Sequence, residues 1–240
     1  MDVTVIKQGN FKVDGDKNFA YLEINDESKS IKLAIQPFII TTQNDVFLLD
    51  AGLGFLEDNQ PVVLKCLQEN RIEVNSITKI LISHLHKDHT DGLGYFQNDV
   101  FFQNFPNATI YIQKREFHFA LQQTKSPSYN IELLKELQTL PNIIWLNEDE
   151  GNITPEVSFK VTGAHSKFHQ VFWINESDTI VFYGADDLPT NGYLKRPIAF
   201  KTDYDGHKAM ELRKIWEQQA KENHWRILLY HDLTTPFIQF

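Results

Sequence analysis

Three imidazoles and a carboxylate fall within six residues of this chain: His84, His86, Asp88 and His89. Neutral imidazole nitrogens and carboxylate oxygens are donors that zinc, iron, manganese or cobalt accept. His84 and His86 lie two apart, so in an extended segment both side chains leave the backbone on one side and can reach a single ion. Asp88 and His89 are adjacent and diverge from that pair, which suits a second ion close by better than one crowded site. A polar loop whose histidines happen to cluster is the blander reading. The apolar run Ile80-Leu81-Ile82 directly before the motif argues against it, because it reads as a buried strand that ends in ligands.

Other strands end the same way. Residues 3–55 alternate apolar and polar positions between the breaks Asp14-Gly15-Asp16 and Asn25-Asp26-Glu27-Ser28, which predicts a β-meander running into Val46-Phe47-Leu48-Leu49-Asp50-Ala51-Gly52. Pro61 opens a helix to about Asn70, at its first helical position. A strand follows over Ile77–Ser83. Two helices around Lys114–Gln123 and Ile131–Leu140 belong to a middle third expected to cover the mouth of the site. Strand signals return at Val157–Val161, Val171–Ile174 and Thr179–Tyr183, and a helix from about Gly206 to Asn223 leads into Trp225–Tyr230. Just past the carboxyl ends of four of these strands stand His84, His165, Asp186 and His231. A rigid sheet presenting ligands from its loops is a good way to hold a defined site.

Length and charge bound the rest. A chain of 240 residues accommodates one α/β domain with a large core, and we expect one domain over residues 1–240. A formal charge of −9 lacks the basic excess that phosphate backbones demand, so a nucleic-acid partner is disfavoured. No apolar stretch approaches bilayer length, and the amino terminus has no basic segment followed by an apolar one, so the expectation is a cytoplasmic protein with no membrane partner. Cys66, the only cysteine, sits beside Val62, Val63 and Leu67 and reads as a small core residue.

Together these residues resemble the metallo-β-lactamase superfamily. The resemblance rests on Leu48-Leu49-Asp50-Ala51-Gly52, the His84–His89 cluster, Gly163-Ala164-His165-Ser166-Lys167-Phe168-His169, Gly184-Ala185-Asp186 and Tyr230-His231-Asp232, in the order that family uses. It implies an α/β fold, a four-layer αβ/βα sandwich with the site at one edge between two sheets. It puts His84, His86 and His165 on a first metal, and Asp88, His89 and His231 on a second, with Asp186 bridging. Asp50 corresponds to an aspartate that steadies the ligand loop by hydrogen bonding, although a turn role before Gly52 is its alternative. His169 has a supporting role in the same scheme.

Departures from the family narrow the function. Zinc β-lactamases carry a cysteine where Asp186 stands, which argues against antibiotic hydrolysis. The flavin-partnered iron enzymes replace the second histidine with glutamate, whereas His86 is retained here, and nuclease members need a long insertion between Asp186 and His231. The resemblance therefore implies a lactonase-like dinuclear hydrolase with two divalent ions, zinc first and iron or manganese next. Its substrate is a small-molecule ester, lactone or thioester, attacked by a hydroxide shared between the ions, with Asp88 as the catalytic proton carrier. The alternatives are a mononuclear iron persulfide dioxygenase, a phosphodiesterase, or a metal-binding module without catalysis. Oligomeric state is open.

Several residues have blander expectations. Tyr95, Phe96, Phe101, Phe102 and Phe105 are expected to pack in the core, with an apolar pocket lining as the alternative. Among Tyr193, Lys195 and Arg196 one can meet a substrate oxygen. His118 reads as a helix-face residue, and His207 and His224 as solvated or capping residues around the last helix.

Overall fold

Side-chain alternation along the strands decides the layers. In the strand Val46–Leu49, Phe47 and Leu49 turn toward a core shared with the second sheet, while Leu48 turns toward helices on the other face. Ile80 and Leu81 divide the same way, as do Ile110 and Tyr111. A sheet with two apolar faces must be covered twice, and the computed structural model, which describes residues 1–240, shows how this is done.

One six-stranded sheet runs in the order Asp2–Val5, Phe38–Thr41, Val46–Leu49, Lys79–Leu81, Thr109–Gln113, Ile143–Leu146. Its outer face carries the helices Val62–Glu69, Lys114–Leu121 and Ile131–Leu137, whose Val63, Leu67, Phe117, Leu133 and Leu137 are almost wholly buried. The second sheet runs Glu150–Asn152, Val157–Val161, Gln170–Glu176, Thr179–Tyr183, Arg226–Leu228, Phe237–Gln239. Its outer face packs Val171, Phe182 and Ile227 under Trp216 and Ala220 of the helix Gly206–Asn223. Between the sheets lie Phe38, Phe47, Ile174, Val181 and Tyr183. Each such side chain removed from water contributes about 1.5–3 kcal/mol, so this inner layer is the main adhesive. The result is the expected αβ/βα sandwich.

The differences from expectation are local. The meander divides: Gly9–Val13, Phe19–Tyr21 and Ile31–Ile35 form a separate three-stranded sheet that lies over the site, while Asp2–Val5 and Phe38–Leu49 join the large sheet. Alternation alone carries no information on which sheet a strand joins. Pro61 caps the first helix from outside instead of occupying its first turn. Cys66 is buried, and burial pushes its thiol up to about 11, consistent with a packing role. Of the five aromatics, only Phe105 is fully buried; Phe96 and Phe102 lie exposed on the hairpin Gly94–Gln103, away from the site. No helix is long and apolar enough to cross a membrane.

Candidate metal centre

Strand direction brings the chemistry to one edge. Val157–Val161 and Thr179–Tyr183 are both antiparallel to Gln170–Glu176 and so run the same way, and Arg226–Leu228 is parallel to Thr179–Tyr183. In the other sheet Val46–Leu49 and Lys79–Leu81 are parallel. Their carboxyl ends release Asp50, the 84–92 segment, the 162–169 segment, Asp186 and His231 into one cleft. Gln170 holds the two sheets together there, donating its backbone N–H to Ser83 O at 2.9 Å and its side-chain amide to Ile82 O at 2.8 Å.

After His86 the chain winds into the single turn Lys87–Thr90, which points Asp88 and His89 away from the first pair. This turn sits tightly on the Asp50 loop: a Cβ at Gly92 would fall 2.0 Å from the Ala51 carbonyl oxygen, so only glycine fits. Gly163, with φ +60°, supplies the corresponding bend before His165.

The hydrogen bonds behind the imidazoles determine which nitrogen faces the cleft. Asp50, wholly buried, accepts from Ser83 N, Ser83 Oγ and His89 Nδ1, each at 2.7 Å, and from the Tyr183 hydroxyl at 2.5 Å. Because the Ser83 hydroxyl gives its proton to Asp50, it accepts from His84 Nδ1 at 3.0 Å. His165 donates Nδ1–H to Asp203 at 2.7 Å, and His231 donates Nδ1–H to the Ala34 carbonyl at 2.8 Å. Four imidazoles are thereby committed at Nδ1 and turn Nε2 into the cleft. His86 is the exception and presents Nδ1, 2.9 Å from His84 Nε2 and 3.1 Å from His165 Nε2.

Three donor groups result: His84, His86 and His165; His84, His89 and Asp186; Asp88, His89 and His231, with the donor atoms of each lying within 4.8 Å of one another. Asp186 sits between them. One of its oxygens is 3.2 Å from His89 Nε2 and 3.0 Å from His231 Nε2, and the other is 3.2 Å from His165 Nε2. All seven residues singled out in the sequence are brought together. His89 Nε2 and Asp186 Oδ1 are buried with no hydrogen-bond partner, a costly arrangement in a protein interior that a shared cation would relieve. Nitrogen-rich donors with two carboxylates fit divalent first-row ions.

Electrostatics divides the imidazoles into two groups. Burial and the neighbouring imidazoles hold His84 and His86 well below the usual histidine range, leaving them neutral. Burial acts in the same direction on His89 and His165, but Asp186, joined by Asp50 in one case and Asp203 in the other, raises both. Burial opposes ionisation of Asp186 too, yet His231, His89 and His165 hold its carboxyl well below the ordinary range. Burial, then Asp50, pushes the Tyr183 phenol far above its ordinary value, so it stays a donor.

Residues with no local sequence signal complete the support. Asp187 accepts the His165 backbone N–H at 2.8 Å and lies 3.2 Å from His169 Nδ1, which places His169 behind the cleft and outside the donor groups. Glu116, fully buried on a helix, accepts the Phe168 N–H at 2.9 Å and so anchors the 165–169 loop. His118, His207 and His224 are exposed and remote from the donor groups, as expected.

A cavity of about 170 Å³ opens onto Asp88, Asp186, His86, His165 and His231. Its walls come mainly from the three-stranded sheet, through Val13, Phe19, Ile31 and Leu33, and from the 189–202 segment, with Ser128 as the one contributor from the middle third. Of Tyr193, Lys195 and Arg196, only Tyr193 faces it.

A family model described as the metallo-beta-lactamase superfamily matches residues 33–231. The chain belongs to the metallo-β-lactamase superfamily. An N-acyl homoserine lactonase of Bacillus thuringiensis is 24% identical over 228 residues, 85% of this chain and 84% of that one. Among solved structures, a probable metal-dependent hydrolase from Staphylococcus aureus superposes with a TM-score of 0.80 at 18% identity, covering 99% of this chain and 91% of the other. AidC, a dizinc quorum-quenching lactonase in complex with a product, gives 0.70 at 24% identity, covering 87% and 76%. Within the superfamily this chain is a metal-dependent hydrolase.

Proposed function

We infer that this protein is a dinuclear hydrolase of small-molecule esters, with lactones as the leading substrate class. The observation that carries this reading is the orientation of the imidazoles: four are committed at Nδ1 to acceptors behind them and turn Nε2 toward Asp186 and His86. His84, His86 and His165 would hold one ion and Asp88, His89 and His231 the other, with Asp186 between them. When bound, two divalent ions, zinc first, supply a water acidic near neutral pH and polarise the acyl oxygen. The likeness to lactonases supports the substrate class.

The protein's own groups do the rest. Val13, Phe19 and Leu33 form an apolar wall that holds the acyl part and keeps bulk water from the reacting bond. Asp88, which faces the cavity, takes a proton from the attacking water and delivers it to the departing oxygen, so the alcohol leaves neutral. Asp50, Ser83, Asp203 and the Ala34 carbonyl act only by fixing ring orientation. Substitution at Asp186 tests the reading. Asp186→Ala is expected to lose about one metal equivalent and to lower kcat/KM on lactones by about a thousandfold or more, measured by elemental analysis and pH-stat. Full metal content with full activity in that variant would overturn it.

A further inference from the structure

The cavity walls carry more positive charge than a neutral substrate requires. Lys17, Lys32 and Lys87 line it, and the only lining carboxylates, Asp88 and Asp186, belong to the donor groups. Lys32 already has a carboxylate partner in Asp26, 3.2 Å away, which it shares with Lys12. Lys17 and Lys87 line the cavity and have no carboxylate within ion-pair distance. Asp14 and Asp91 act on Lys87 through space, but neither comes within ion-pair contact of it. Asp14 accepts from Asp16 N, Asn18 N and Asn18 Nδ2, and Asp91 accepts from Asn130.

Both lysines are partly buried and held in place. Lys17 sits at φ +58° in the turn built by Asp14, a conformation that costs a lysine free energy. Its ammonium lies over the Phe200 ring, 5.1 Å from the centroid, and that of Lys87 lies 5.8 Å from the Phe19 centroid. Both rings line the same cavity as the two lysines, so each cation rests on its own aromatic support beside one space. An ammonium on a cavity wall with no carboxylate in contact is free to take an anion there.

We propose that Lys17 and Lys87 form a subsite for an anionic group, a carboxylate or a phosphate, carried by the substrate a few bonds from the ester that is cleaved. The proposal rests on the hydrolase reading above and narrows its substrate class from neutral acyl esters to acidic ones. The small cavity places the anion close to the reacting bond, so short acidic acyl or alcohol parts suit it better than long neutral chains.

The test compares esters matched in length on the zinc-loaded full chain: methyl valerate, monomethyl glutarate and methyl 4-phosphonobutyrate, followed by pH-stat. Binding of valerate and glutarate is measured separately by calorimetry. An anionic ester should exceed methyl valerate in kcat/KM by about tenfold or more, and the advantage should shrink with added salt. Whether glutarate or phosphonate gains more decides between carboxylate and phosphate. Lys17→Gln and Lys87→Gln should each reduce the advantage by about three- to tenfold and together abolish it, whereas Lys65→Gln, outside the cavity, should leave it intact. Hydrolysis of all three esters without preference, or a preference that survives the double substitution, would overturn the subsite while the hydrolase reading stands. If no ester is cleaved but glutarate binds more tightly than valerate and only with the lysines present, the subsite stands and the hydrolase reading falls. Neither turnover nor preference would remove both.

Discussion

The floor and the roof of the cavity are built differently. In the floor, Asp50 meets four donors, and four of the five cleft imidazoles are held from behind at Nδ1. In the roof, formed by Gly9–Val13, Phe19–Tyr21 and Ile31–Ile35, the charged groups sit at the rim, where partly exposed Lys12 and Lys32 share Asp26 and exposed Tyr21 donates to Glu57. Buried polar groups in a low-dielectric interior have no water to fall back on, so the floor is locked as a unit. Exposed pairs exchange for water at little cost. The proposed chemistry thus falls to the part whose polar groups are locked, and the proposed recognition to the part whose pairs are open to exchange.

Asp50→Ala tests the floor most severely. It leaves Ser83 N, Ser83 Oγ, His89 Nδ1 and the Tyr183 hydroxyl without an acceptor, and should cost about 3–5 kcal/mol in denaturant unfolding together with a fall in bound metal. Unchanged unfolding would mean that the network is dispensable and that floor and roof do not differ in kind. Tyr183→Phe removes one bond to that buried carboxylate and should cost about 1.5–3 kcal/mol, read from the same unfolding curves. Asp203→Asn leaves the shape but removes the charge behind His165; chelator competition should show metal affinity weakened about 10- to 100-fold, with unfolding less affected than in Asp50→Ala.

These substitutions also mark what can be read from the chain alone. His84, His86, Asp88 and His89 are legible because their spacing is local, and His165, Asp186 and His231 because each follows an apolar strand. Asp50 is legible as an acceptor near Gly52. Its donor Tyr183 is not: it lies 133 positions away at the end of the apolar run Val181-Phe182-Tyr183, where nothing distinguishes it from a core residue. Asp203 sits in a polar loop 38 positions from His165, and the partner of His231 is a backbone carbonyl 197 positions away, invisible to residue type. The sandwich follows from strands with two apolar faces, but the roof does not, because the alternation in Gly9–Ile35 fits either an added edge of the large sheet or a separate one. The hairpin Gly94–Gln103 misleads in the opposite sense: its aromatic content predicts burial, yet only two strands are present and half of their side chains remain at the surface.

The smallest effect is expected at Asp26. Hydrogen bonds from Lys12, then Ser28 and Lys32, hold its carboxyl well below the ordinary range, so the pairing is complete at neutral pH and fades only as acid protonates the group below about pH 4. Asp26→Asn frees Lys32, which faces the cavity, and changes only the roof. Because the pair lies outside the donor groups and its lysines are partly exposed, KM for a cleaved ester should move by no more than about fivefold, while metal content and denaturant midpoint match the parent protein. A loss of metal in Asp26→Asn would show that the three-stranded sheet positions the ligands as well as covering them. Two direct links join that sheet to a ligand, both at Ala34, just before the end of the strand Ile31–Ile35: its carbonyl meets His231 Nδ1 and its N–H donates to the His231 carbonyl. Asp26 lies eight positions earlier, outside that strand, so a disturbance there reaches Ala34 only if the whole sheet shifts as one body.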